Sequence, residues 1–275
     1  MAPKPLAPLV FLITACQPPA IEPWHEARQA CELAEGEPPV DTVIDGRPAL
    51  DLSPECSLHL GELLGVDRES FEAAPLSLEA LLHGAHLLVA ADFGEVGQLL
   101  ASPHASTWAR QHLARQAERG GLSDRAPASA LLLAHVRSEL REIRFVPDLE
   151  QYAAAYDRGR MVLGEVQSHE DQPPLWMASV LMHEASHGVG PEHGACRDRP
   201  DEACDADLDG VYGAQAWMSE AWRQGLQPGQ AHAEEACAGS VSDLTVICSM
   251  VNNPGDDLLC DPLARWRVCD TLGQR

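Results

Sequence analysis

The sequence predicts an α+β domain that is mostly helical, with a small mixed sheet and one buried helix. Three observations predict it. Apolar residues recur at helical spacing in several separate stretches. Two short apolar runs, 143–146 and 161–166, have the length of strands. The run that follows Pro173-Pro174 is apolar nearly all round, as a buried helix is. The order helix, strand, strand, buried helix, loop, helix is that of an α+β architecture. With 275 residues, 45% apolar and 22% charged, the chain is neither disordered nor collagen-like and is long enough for a real core.

The elements follow in order. Residues 17–75 are Pro-rich with little periodicity and read as loops, with at most one short strand. Leu78, Leu81, Leu82, Ala85 and Leu88 mark a helix over 76–90, which carries His83 and His86. Those two histidines are three apart and can share a metal, but plain helix-surface residues have the same spacing. A polar helix is expected over 106–118. A third, from about Pro127, is marked by Leu132, Val136, Leu140 and Ile143. After the two strands, Pro173-Pro174 opens a helix through LWMASVLMHEASH. A Gly- and Asp-rich loop leads to a helix near 211–224. Two short helices, 230–238 and 241–251, and an irregular Cys-bearing tail complete the chain.

Charge narrows the partners. Nineteen basic and 42 acidic residues give a net charge of −23, which repels phosphate backbones, so no nucleic-acid partner is expected. The first residues, MAPKPLAPLVFLITAC, combine one Lys, a short apolar run and a small residue before Cys16. Ile13-Thr14-Ala15-Cys16 resembles the lipobox of a bacterial lipoprotein. That resemblance implies a signal peptide at 1–15 and lipidation of Cys16. It implies an exported, lipid-anchored protein in the outer membrane and periplasm or at the cell surface, touching membrane only through the anchor. Segment 16–75 would then be tether and irregular lead-in, and 76–275 the functional domain.

Without Cys16, eight cysteines remain, an even number that suits a disulfide framework in an oxidising compartment. Proximity suggests Cys31 with Cys56 and Cys196 with Cys204. Cys237, Cys248, Cys260 and Cys269 stay unassigned. No CxxC occurs, so a Cys-rich zinc site has little support.

The chemistry concentrates in His183-Glu184-Ala185-Ser186-His187, an HExxH on the buried helix. Residues i and i+4 stack on one face, so both imidazoles can bind one Zn²⁺. Glu184 lies one residue on, about 100° around the helix. There it stands beside the metal and can take a proton from water that attacks a polarised carbonyl. Gly190 and His193 extend the motif to HExxHxxGxxH. Gly190 is expected at positive φ, ending the helix and turning the chain back, so that His193 becomes a third ligand. Three ligands leave a fourth position open, the catalytic rather than the structural arrangement.

Through His183, Glu184, His187, Gly190 and His193 the chain resembles the metzincin branch of zinc metallopeptidases. The resemblance implies a zincin-like fold in which the motif helix floors a cleft. An antiparallel edge strand, 161–166, would pair with an extended peptide substrate. A Met-turn is implied too, with Met250 a candidate and Met218 a weaker one. Asp209-Gly210-Val211-Tyr212-Gly213 resembles the DxxYG of deuterolysin-like aspzincins, with Ala206 and Asp207 where that family has Gly and Thr. It implies Asp209 as an alternative third ligand and Tyr212 as a hydrogen-bond donor to the oxyanion. A gluzincin-like arrangement would use Glu220. Asp205, Asp207 and Asp209 match half of a DxDxDG calcium loop, although position 216, where the closing Glu belongs, is Ala216.

The expected activity is therefore that of a zinc metalloendopeptidase acting on peptide or protein substrates. The rival is a non-enzymatic surface lipoprotein in which metal and disulfides are structural. His25, His59, His104, His112, His135, His169 and His232 are scattered, and the sequence assigns them nothing.

Overall fold

The computed structural model describes residues 21–33, 52–103, 105–147, 149, 154–165, 174–199, 203–225, 237, 241, 244–252 and 260. The segment expected as a signal peptide, Cys16 and most of the helix expected at 230–238 lie outside the described residues. The fold is α+β and mostly helical, with a small mixed sheet, as the sequence predicts.

Its centre is a helix pair. Helix α3 (Pro75–Ala90) packs against α7 (Pro174–Ser186), and α7 packs in turn against α8 (Val211–Gly225) and α6 (Ala128–Glu139). Leu81, Leu88, Leu131, Leu132, Met177 and Leu181 are fully buried between them. Each contributes about 2 kcal/mol relative to exposure. Gly84 on α3 makes the approach possible: a Cβ there would sit 2.6 Å from the Met177 side chain and 2.9 Å from the Ala178 backbone nitrogen. His83 and His86, expected as surface residues, are buried because α3 is covered on nearly every side.

The Pro-rich lead-in holds more structure than its periodicity suggests. Helix α1 (Ile21–Ala30) buries Trp24 and Ala27 and directs the Trp24 and Arg28 side chains to the Val89 carbonyl at the end of α3. Helix α2 (Pro54–Leu63) starts at Ser53, whose hydroxyl accepts from the Cys56 N–H, with Pro54 next. That is a helix start by capping rather than by pattern. Both helices belong to the main core, and the Cys31–Cys56 disulfide joins them. The sequence reading also passed over the short α4 (Val96–Ala101), opened by a Glu95/Gln98 capping box. Helix α5 (Thr107–Gly120) lies where expected, capped by Ser106 and closed by the left-handed Gly121. Helix α6 ends at Glu139, earlier than the apolar spacing suggests, because the chain straightens into the first strand.

That strand, β1 (Glu142–Phe145), runs parallel to β3 (Arg160–Leu163), and β2 (Ala154–Asp157) pairs antiparallel on the other side of β3. Arg158 and Gly159, both at positive φ, form the two-residue turn of the β2–β3 hairpin. The strand expected to edge the cleft, 161–166, is therefore the central one, with both sides paired. The edge belongs to β2, a strand missed in the sequence because Ala154 and Ala155 carry little β signal.

Disulfides Cys31–Cys56 and Cys196–Cys204 form as expected. Cys248 pairs with Cys260, and Cys237 is also disulfide-bonded, its partner outside the described residues. Among the described residues no helix is long and apolar enough to cross a membrane.

Candidate metal centre

Three histidines converge. His183 lies in the last turn of α7 and His187 just past its end, its N–H still donating to the His183 carbonyl at 3.3 Å; their Nε2 atoms lie 3.2 Å apart. His193 returns from the following loop with its Nε2 3.3 Å from that of His183. One nitrogen of each lies within 4.8 Å of the others, a grouping that could hold a metal ion.

The return of His193 has a local cause. Two-residue strands β4 (Gly194–Ala195) and β5 (Ala203–Cys204) pair antiparallel, Gly194 opposite Cys204, and the Cys196–Cys204 disulfide closes the ribbon. Continuing that register by one residue sets His193 opposite Asp205. The Asp205 carboxylate, almost wholly buried, meets His193 Nδ1 at 2.7 Å through Oδ1. A carboxylate on Nδ1 fixes the tautomer that leaves the Nε2 lone pair for a metal. Its other oxygen accepts the Tyr212 N–H at 2.6 Å, in the first turn of α8, where the helix dipole favours an anion. Gly210 is required there, because a Cβ would fall 2.1 Å from the Asp205 carboxylate. Gly213 is required as well, since a Cβ would fall 1.8 Å from the Leu208 carbonyl oxygen.

Gly190 departs from expectation. It is not at positive φ. It is small because a Cβ would crowd the Ser186 carbonyl at 2.8 Å and the Trp108 ring at 2.9 Å. The chain turns by close packing rather than by a left-handed residue.

Asp209 does not reach the three histidines: its carboxylate accepts the Thr107 N–H at the start of α5. Glu220 is a buried partner of Arg223 and Gln224 and is likewise no ligand. The calcium loop does not assemble either. Asp205 holds His193 and Tyr212, Asp207 accepts the Asp209 N–H at 2.8 Å, and Asp209 turns to α5. Three carboxylates committed to separate donors do not converge on one cation.

Glu184 is buried on α7 and lines the same cleft, with its Oε2 making no hydrogen bond. Burial pushes its carboxyl up to about 8. Burial also holds His183 well below the ordinary histidine value and His187 down at about 4, with the neighbouring histidines adding repulsion. Neutral imidazoles are the form that binds metal. Three convergent imidazoles, one of them held through Nδ1 by Asp205, fit a divalent ion.

The cleft beside these residues has a volume of about 590 Å³. Tyr212 stacks on His193, ring centres 4.6 Å apart, and Tyr156 of β2 faces His187 at 6.0 Å. Trp176, Val180, Ile247 and Met250 form an apolar wall. Of the Met-turn candidates, Met250 lines the cleft and its carbonyl accepts the Asp205 N–H, whereas Met218 is fully buried on α8. Residues 244–249 are helical, within the span 241–251 expected for a short helix.

Sequence reasoning missed Asp205 as the partner of His193, and Tyr156 and Trp176 in the cleft. The only signal for Asp205 was its place in an Asp-rich loop, which pointed to calcium. Two further groupings that could hold a metal occur among the described residues. In Cys31, Cys56 and His86 the two sulfurs are already joined to each other. The other is His112, His135 and Glu139, between α5 and α6. No protein-family model, curated protein or solved structure matches this chain.

Proposed function

We propose that the chain is an exported, lipid-anchored zinc metallopeptidase that cleaves peptide bonds. The observation that carries this reading is the convergence of His183, His187 and His193 beside a buried Glu184 with an unpartnered oxygen, all opening on one cleft. His183, His187 and His193 would hold the metal. A Zn²⁺ ion bound there would supply Lewis-acid polarisation of carbonyl and water and a positive charge that favours the ionised form of Glu184. Glu184 then accepts the water proton at its carboxylate and passes it to the leaving amine. Tyr212, stacked on His193 at the cleft, donates a hydrogen bond to the developing oxyanion. Among the described residues no strand pairs with the outer edge of β2, so its backbone groups can take an extended peptide, and the apolar wall receives a side chain. Export is supported by the disulfides and by the lipobox-like Cys16.

The test is Glu184→Gln. It is expected to retain metal and to abolish hydrolysis of an unstructured protein substrate. Unchanged turnover would refute the role of Glu184. Bound metal with no hydrolysis by the unaltered protein would instead support a structural metal in a surface binding protein.

A further inference from the structure

Between α5 and α6 lies a second set of donors. His112 comes from α5, and His135 and Glu139 lie four residues apart on one face of α6. One donor atom of each lies within 4.8 Å of the others. The two rings are edge to face, with centres 5.2 Å apart.

Their hydrogen bonding is incomplete in a specific way. Ser186 Oγ donates its single proton to the Met182 carbonyl at 2.8 Å. Its 3.4 Å contact with His135 Nε2 must therefore be an N–H donating to the hydroxyl oxygen. A neutral His135 in that tautomer has a bare lone pair on Nδ1. Burial keeps it neutral, lowering its pKa to about 3. That Nδ1 is buried and has no hydrogen-bond partner, and the same is true of His112 Nε2. His112 Nε2 lies 3.7 Å from Glu139 Oε1, too far for a hydrogen bond and near the spacing of two ligands on one ion. Two buried imidazole nitrogens without partners, one of them a bare acceptor, are costly where an apolar side chain would fill the space freely.

We propose that His112, His135 and Glu139 form a second divalent-metal site, selective for a borderline cation such as Zn²⁺, that clamps α5 to α6. Two imidazoles and one carboxylate are a zinc donor set. The side chains of His112 and Glu139 are 16% and 18% exposed, which gives the ion an entry path and a water for its remaining position. The site shares no ligand with the cleft but backs onto it. His135 holds Ser186, the residue before His187, and a Cβ on Gly188 would lie 2.7 Å from Glu139 Oε2 and 3.0 Å from the Tyr156 hydroxyl. The second ion would thus brace the C-terminal turn of α7 from behind.

The test is zinc content of the disulfide-bonded, exported chain by elemental mass spectrometry, with a thermal unfolding scan. The unaltered chain is expected to bind two Zn²⁺. A His183→Ala/His187→Ala chain is expected to keep one, and added Zn²⁺ should still raise its unfolding temperature. A His112→Asn/Glu139→Gln chain is expected to lose one equivalent, and combining all four changes should abolish the zinc-induced shift. A folded His183→Ala/His187→Ala chain without zinc would overturn the proposal, as would a His112→Asn/Glu139→Gln chain with undiminished zinc. If the His183→Ala/His187→Ala chain fails to fold, Co²⁺ titration decides between the unaltered and His112→Asn/Glu139→Gln chains. Equal numbers of Co²⁺ equivalents in the two would refute the second site. Failure of the cleft site reads differently: the unaltered chain would then bind one ion, lost on changing His112 and Glu139.

Discussion

Replacing Asp205 with Asn keeps the side chain's shape and removes its charge. The carboxylate accepts from His193 Nδ1 at 2.7 Å and from the Tyr212 N–H at 2.6 Å, and it is 2% exposed. Asn has one oxygen, so it can satisfy one of those donors and must turn its NH₂ toward the other. If the oxygen stays on His193, a charge-assisted bond becomes a neutral one, a loss of about 1–1.5 kcal/mol. If the NH₂ faces His193, the imidazole is driven to the tautomer that protonates Nε2, and a metal ligand is lost. Replacing a carboxylate behind a ligating histidine costs about 10- to 100-fold in metal affinity, or roughly 1.4–2.7 kcal/mol. The expected result for Asp205→Asn lies in that range, measured by zinc competition against a chromophoric chelator at neutral pH. Asp209→Ala is the control: its carboxylate serves α5 and not the histidines, so zinc affinity should hold. Unchanged affinity in Asp205→Asn, or an equal loss in Asp209→Ala, would refute the assignment of Asp205 as the residue that orients His193.

Gly210→Ala touches no ligand, yet its Cβ would collide with the Asp205 carboxylate, so zinc affinity should fall alongside Asp205→Asn; normal zinc binding would show that the loop yields freely. Gly84→Ala forces a methyl into the α3–α7 contact and is expected to cost about 1–3 kcal/mol in urea unfolding, and an unchanged midpoint would count against the close packing of those helices. His86, buried beside His83 and Arg28, has its pKa lowered to about 4 by desolvation first and by those charges second. The unfolded chain takes up that proton near the ordinary value of 6.5, so the stabilisation is present above it and is lost as pH falls toward 4. The slope is at most about 1.4 kcal/mol per pH unit. His86→Gln should remove that slope, and identical pH profiles of unfolding for the two proteins would contradict a buried neutral imidazole.

Legibility followed the range of the interactions. Helices α3, α5, α7 and α8 could be read because each writes its own 3.6-residue periodicity or ends on a local cap. Helices α1 and α2 could not be read from periodicity. Each is short, and α2 rests on a Ser53-Pro54 start in a stretch whose prolines look like loop. Strand β2 is invisible in a run of alanines, and its existence depends on the hairpin turn at Arg158-Gly159 and on pairing with β3.

The candidate metal centre divides the same way. The HExxH and its extension to His193 determine by themselves that three imidazoles and one carboxylate are available at helical and loop spacing, because one turn of helix sets His183 over His187. What only the tertiary structure decided is which acidic residue supports them. Asp205, Asp207 and Asp209 are nearly equivalent in sequence. The β4–β5 register and the start of α8 bring Asp205 to His193, while α5 takes Asp209 away. Likewise, no spacing rule joins His112 to His135 and Glu139, which meet only because α5 packs on α6. Contacts within a turn of helix are set by covalent geometry and are written locally, whereas contacts between elements depend on how whole faces pack.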